Sequence, residues 1–230
     1  MTQTEILQEL KNKIAVEGTH NEGECAALLK EVSYVLLPTE QGHIIYTDTE
    51  QIAHAGRIDV LVYADCRQTS GSYRRVLYLW ELKAPQLPLF LIDTASRAQP
   101  SKDLYDAENQ LLHYHDSLRN NDSFRSTNGI GASDDIKFGG IVIGRSSSYV
   151  KNTAGINDEK AMNLAEQTLR IRQRLFYDPH GIKIWTWDTV ASSLSLMNRS
   201  FKEYRGDAVM RIDARLDVSL PLFTLEGACK

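Results

Sequence analysis

Nine consecutive residues constrain this chain more than any others. Leu77 to Pro85 reads LYLWELKAP, the leucine-rich and aromatic content of a buried strand, with Glu81 and Lys83 set in its middle. Strand pleating sends alternate side chains to opposite faces, so Leu77, Leu79, Glu81 and Lys83 share one face and Val76, Tyr78, Trp80 and Leu82 the other. Charged groups are almost never fully buried unless paired or coordinating, because desolvating an ion is costly. The segment is therefore either an exposed edge or the wall of a site.

The flanking sequence supplies a sheet for that strand. HIIYT at 43 to 47 and RIDVLVYA at 57 to 64 precede RVLYLWELKA at 75 to 84. All three are rich in β-branched, leucine and aromatic residues, and the polar segment 65 to 74, centred on Gly71, joins the last two as a hairpin. A meander of three strands is expected. Before it, Ile6, Leu7, Leu10 and Ile14 predict a short helix, and residues 22 to 36 a second one, with Asn21 as N-cap and Pro38 as its stop.

After the meander, residues 85 to 100 hold three prolines and no period, and read as an ordered irregular loop. Ser101 caps a helix running to Arg119, with Leu104, Ala107, Leu111, Tyr114 and Leu118 along one face. A polar loop at 120 to 135 leads to IKFGGIVIGR at 136 to 145, so apolar that both its faces must be covered. A helix over 158 to 177, a strand GIKIWTW at 181 to 187 and a short helix capped by Asp188 follow. Residues 196 to 230 are mixed in charge and weakly periodic, and predict an accessory or oligomerisation segment.

Composition narrows the function classes. A net charge of −4 over 230 residues excludes a protein that coats nucleic acid by bulk electrostatics, leaving only a local basic surface for such a partner. Cys25, Cys66 and Cys229 are scattered, without metal-ligand spacing, and read as reduced thiols of a cytoplasmic protein. The longest apolar run, LPLFLI at 87 to 92, is too short to span a bilayer, so no membrane association is expected. No small-molecule cofactor is evident.

The chemistry lies where Asp59 interrupts the apolar run RIDVLVY. Antiparallel pairing brings its carboxylate within reach of Glu81. Two acids and a lysine on one face suit a hard cation, Mg²⁺ or Mn²⁺, which takes a few carboxylate oxygens plus water and phosphate oxygens. Asp59, Glu81 and the backbone carbonyl of Leu82 would be ligands. Lys83 would orient or deprotonate the attacking water or stabilise charge on phosphorus. The competing explanation is a solvent-facing edge with a cross-strand ion pair; the acid in the preceding strand and the capped helix that follows weigh against it.

With its helix, three strands, helix and strand, the acid of the second strand and the Glu-x-Lys of the third, the chain resembles the PD-(D/E)xK nuclease superfamily. Ile58 stands where that motif has proline. The resemblance implies an α/β fold with a restriction-endonuclease-like core (α-β-β-β-α-β), a mixed sheet flanked by helices. WELKAPQLPLF, SKDLYDAENQLLHYHDSL, GGIVIGR and GIKIWTWDTVASSL narrow it to the nuclease domain of Shedu anti-phage defence proteins, over roughly residues 20 to 195. On that likeness the chain divides into a short N-terminal extension (1–20), a nuclease domain (21–195) and the C-terminal segment (196–230).

The Shedu resemblance implies a Mg²⁺-dependent DNA nuclease, assembled as a homo-oligomer, with Gln110 joining Asp59, Glu81 and Lys83 as a catalytic residue. Tyr114, four residues on, shares Gln110's side of the helix. Family likeness also asks for an acid on the helix before the meander, Glu22 or Glu24, although acids in a first turn also serve the helix dipole. Arg57, Arg74, Arg75, Lys102, Tyr114 and Arg145 are candidate DNA contacts. His113 and His115 diverge on their helix and are not expected to share a metal; Trp80, Trp185 and Trp187 are expected in the core or an interface rather than as a base-stacking platform. The alternatives are a catalytically silent sensor or scaffold binding DNA ends or a phage protein, or another enzyme of the superfamily such as a restriction endonuclease.

Overall fold

The computed structural model describes residues 1–18, 21–37, 43–49, 52–53, 56–67, 70–94 and 97–203; residues 43–49, 52–53, 56–57, 67, 94 and 198–203 are described by their backbone only. The order is α1 (Gln3–Ala15), α2 (Glu22–Lys30), β1 (His43–Thr49), β2 (Ile52–Ala53), β3 (Gly56–Arg57), β4 (Val60–Arg67), β5 (Tyr73–Leu82), β6 (Phe90–Thr94) and β7 (Arg97–Pro100). There follow α3 (Lys102–Arg119), α4 (Asp122–Thr127), β8 (Ile136–Val142), β9 (Val150–Asn152), α5 (Asp158–Arg172), α6 (Asp178–His180), β10 (Lys183–Trp185) and α7 (Trp187–Glu203).

A five-stranded mixed sheet runs β1-β4-β5-β8-β10. β1, β4 and β5 pair antiparallel, whereas β8 runs parallel to both β5 and β10. The three expected consecutive strands are thus present as a meander, and the apolar 136–145 segment lies in the interior, as its composition demanded. It stops as a strand at Val142, before Gly144, whose φ of 68° breaks the extended run.

Period two sorts the sheet's side chains onto two cores. Leu61, Tyr63, Leu77 and Leu79 pack with Leu104, Ala107, Leu111 and Leu118 of α3. Val60, Val62, Tyr78, Trp80 and Leu82 pack with Ile6 and Leu10 of α1, Leu29 of α2, and Trp187, Val190 and Leu194 of α7. Leu104, Leu111 and Leu118 are at most 1% exposed and each stabilises the helix-on-sheet packing by about 1.5–3 kcal/mol. The result is a mixed α/β fold with helices on both faces of the sheet. Among the described residues no helix is long and apolar enough to cross a membrane.

Several segments depart from their expected form. Residues 85 to 100 are no irregular loop: β6 pairs antiparallel with β7 and parallel with β9 in a second sheet. Phe90 and Ile92 are fully buried on alternate positions. Pro100 closes β7 on the sheet's edge, where its missing N–H is tolerated. The polar stretch 120 to 135 holds α4, whose N-cap Asn121 accepts from the Phe124 amide (2.9 Å). Asp188 does not cap the last helix. The Thr186 hydroxyl accepts from the Thr189 amide (3.3 Å), while Asp188 accepts from Ser146 N. That helix runs on to Glu203, and residues 204–230 lie outside the described ones. α2 ends at Lys30 and gives way to a 3-10 turn, Ser33–Leu36. Asn21 holds the N-cap position, but its side-chain amide donates to Lys13 O (3.1 Å).

Trp80 is accommodated by a pair of glycines. A Cβ on Gly139 would stand 2.1 Å from Trp80 Nε1, and one on Gly140 2.2 Å from Lys183 O. The indole, 1% exposed, lies across β8 and contacts Trp185 with ring centroids 5.3 Å apart. Trp80 and Trp187 belong to the core on this face, and the partly buried Trp185 packs against it.

Candidate active site

The expected strand 57–64 is broken. Arg57 ends the small β2–β3 ladder, β4 begins at Val60, and Asp59 lies in the gap. Val60 pairs with Trp80 and Leu61 with Leu79, so one further step of this register sets Asp59 across from Glu81. Alternation places Glu81 on the face covered by α3, and Asp59, at the bend before β4, acts electrostatically on Glu81 and on Tyr114 of that helix. Asp59 Oδ2 accepts from the Leu82 amide (2.9 Å), which closes the strand pair with a side chain where a carbonyl would otherwise serve.

Lys83 ties the remaining parts together. Its Nζ lies 2.6 Å from Glu81 Oε1 and 2.7 Å from Gln110 Oε1 on α3. Its backbone is held as firmly: the amide donates to Val142 O (2.8 Å), and the carbonyl accepts from Trp187 Nε1 (2.7 Å). Glu81 is 2% exposed, and its second oxygen, Oε2, is buried without a hydrogen-bond partner. An orphaned carboxylate oxygen is expensive to bury and calls for an explanation.

The electrostatics follow from that burial. Desolvation, reinforced by Asp59 and against the opposing pull of Lys83, pushes the Glu81 carboxyl up from 4.5 to about 8, with a further rise from Glu22. Burial alone would lower Lys83, but Glu81, Glu22 and Asp59 outweigh it and raise the ammonium's pKa. Tyr114 is raised by burial and then by Glu81 and Asp59. Asp59, Glu81, Glu22 and Lys83 therefore share one field, in which three carboxylates outnumber one ammonium.

A folded-state pKa above the ordinary value means that the native chain binds more protons than the unfolded one between about pH 4.5 and pH 8. This group's contribution to stability falls as pH rises through that window. Urea unfolding without added metal should show the wild type losing stability relative to Glu81→Gln between pH 5 and pH 8. A pH-independent difference between the two would remove the raised carboxyl from the site.

Of the residues singled out in the sequence, the fold brings together Asp59, Glu81, Lys83 and Gln110, with Tyr114 and Glu22 close enough to act on them electrostatically. Glu24 is turned away and pairs with Lys13 (3.3 Å). Arg74 pairs with Asp134 (3.0 Å) and Asp135, and Arg75 with Asp65 (3.0 Å). Both stand at the opposite end of β5, about 20–23 Å from Glu81 along the strand. Arg145 is held on the α1 side of the sheet, donating to Ile14 O (2.6 Å) and lying 3.6 Å from Glu17. Lys102 is exposed on the first turn of α3, about 12 Å along the helix from Gln110. The Arg57 side chain lies outside the described residues. His115 bonds Ile136 O (2.9 Å) and stacks on Phe138, while His113 is exposed. Sequence reasoning missed the Trp187 indole as the partner of the Lys83 carbonyl; 104 residues separate the two, and no local pattern announces such a contact.

Among the described residues no three His, Cys, Asp or Glu side chains gather closely enough to hold a metal by themselves. Two carboxylates, one with an orphaned buried oxygen, do match the donor chemistry of Mg²⁺, which keeps several waters and uses one or two carboxylates.

Neither a curated protein nor a solved structure matches the chain. The family model described as Shedu protein SduA, C-terminal, matches residues 19–190. That span takes in Asp59, Glu81, Lys83, Gln110 and the helix that carries Glu22, and the chain belongs to this family.

Proposed function

We propose that the chain is a metal-dependent DNA nuclease of anti-phage defence, hydrolysing phosphodiester bonds at the Asp59–Glu81–Lys83–Gln110 constellation. The observation that carries this reading is the buried Glu81 carboxyl, one oxygen on Lys83 and the other orphaned, with the Asp59 charge acting on it. A second acid beside a buried carboxyl raises the cost of ionising it, and a bound cation would offset that cost. The order α2, β1, β4, β5, α3, β8 supports assigning the core to the PD-(D/E)xK class, and the family match supports a defence role.

Asp59 and Glu81 would hold the cation, with the Leu82 backbone, whose amide already faces Asp59, offering its carbonyl. When bound, Mg²⁺ or Mn²⁺ would polarise the phosphate and lower the pKa of an attacking water. Lys83, whose pKa its acidic neighbours raise, would donate hydrogen bonds, orienting the water and stabilising charge on the phosphoryl oxygens. Gln110 accepts from the same ammonium (2.7 Å) and so ties it to α3 as well as to Glu81. Glu81 and Asp59 must be ionised to bind the cation, so metal binding releases a proton near neutral pH.

Incubation with linear and circular DNA should give cleavage in Mg²⁺ or Mn²⁺ and none in EDTA. Cleavage that persists in EDTA would sink the metal mechanism. Bound Mn²⁺ without cleavage of any DNA or RNA would point to a silent sensor.

A further inference from the structure

The C-terminal end of α1 leaves backbone carbonyls that its own helix cannot satisfy. Three side chains from elsewhere meet them: Asn21 Nδ2 donates to Lys13 O (3.1 Å), Arg145 Nη1 to Ile14 O (2.6 Å) and Gln86 Nε2 to Val16 O (2.9 Å). Gln86 engages both poles of its amide: Oε1 accepts from the Asn21 backbone amide (3.2 Å). One side-chain amide thus joins the end of α1 to the start of α2.

Gln86 lies three residues beyond Lys83, on a segment with little freedom. Ala84 O accepts from both Leu87 N (3.2 Å) and Gly144 N (3.2 Å), Pro85 O accepts from the Ser148 hydroxyl (3.0 Å), and Lys83 O from Trp187 (2.7 Å). Asn21, the residue gripped by Gln86, immediately precedes Glu22, whose carboxylate acts on both Glu81 and Lys83. Hydrogen bonds thus anchor each residue from Lys83 to Gln86, and the last of them grips the residue that precedes Glu22.

We infer that Gln86 is a positioning residue: by bridging Val16 O and Asn21 N from the segment that follows Lys83, it fixes Glu22 against the Glu81–Lys83 pair and thereby sets the site's affinity for a divalent cation. This inference rests on the metal-dependent reading above. A merely structural Gln86 would cap α1, and its loss would lower the melting temperature without touching cation affinity.

Calorimetric titration of the full chain with Mn²⁺ separates the two, using wild type, Gln86→Met, Glu22→Gln and the double variant, with thermal melts alongside. Methionine keeps the side chain's length and removes both poles; Gln86→Ala is the second choice if methionine packs badly. Gln86→Met and Glu22→Gln are each expected to weaken Mn²⁺ binding by about tenfold, the scale of outer-shell losses at metal sites. The double variant should fall within about twofold of Glu22→Gln alone, because the two act as one unit. Wild-type affinity in Gln86→Met or in Glu22→Gln, or losses that multiply in the double variant, would overturn the inference. A wild-type chain that binds no Mn²⁺ would instead remove the metal reading itself, and this inference with it.

Discussion

Lys83→Ala is expected to lower metal-dependent DNA cleavage by about 10²–10⁴-fold, the range associated with losing one positioned proton-transfer or charge-stabilising group. The substitution removes the donor that lies 2.6 Å from Glu81 and 2.7 Å from Gln110, and it leaves a buried carboxylate with neither oxygen paired. Glu81 would then titrate still higher, so the variant should bind cation more weakly at neutral pH as well. Lys83→Arg should not rescue it, because a planar guanidinium presents its donors in a fixed fork where the site offers two oxygens to a compact ammonium. Single-turnover cleavage at saturating Mg²⁺ checks this. Activity within about tenfold of wild type would show that the lysine is a structural partner of Glu81 and nothing more.

Gly139→Ala should destabilise the fold by about 3 kcal/mol, at the upper end of overpacking costs. The added Cβ would sit 2.1 Å from Trp80 Nε1, and the indole has nowhere to go: it is 1% exposed, packed on Trp185, and crossed by Gly140 on the same strand. Relief must come from separating β5, which leads directly into Lys83, from β8, whose Val142 carbonyl accepts from the Lys83 amide. Urea denaturation gives the loss directly, and a change below about 1 kcal/mol would mean that the sheet absorbs a methyl group here without cost.

The site was legible where a short-range rule governs it. Alternation alone puts Glu81 and Lys83 on the α3 face, the hairpin brings Asp59 beside them, and helical spacing groups Gln110 with Tyr114. The rest depended on contacts without a local signature. Nothing within α2 tells Glu22 from Glu24, since both lie in its first turn; the difference is made by Lys13 on α1, which takes Glu24. Gln86 reads as one more polar residue in a proline-rich segment, and its two partners are 65 and 70 residues away. The same prolines hid β6 and β7, whose buried Phe90 and Ile92 are too few to display a period. Arg74 and Arg75 look like phosphate ligands in sequence only because the acids that take them, Asp65, Asp134 and Asp135, are assembled by the fold.

The broken second strand sets a gradient in how easily the site opens. Glu81 belongs to β5, hydrogen-bonded on both edges and covered on both faces, so its amide is expected to exchange with solvent only at the rate of global unfolding. Asp59 precedes the first residue of β4, outside the ladder, and its side chain accepts from the Leu82 amide of β5. The two acids thus belong to regions of different opening free energy. Protection at Leu82 against deuterium exchange becomes a local gauge of whether the Asp59 arm is closed.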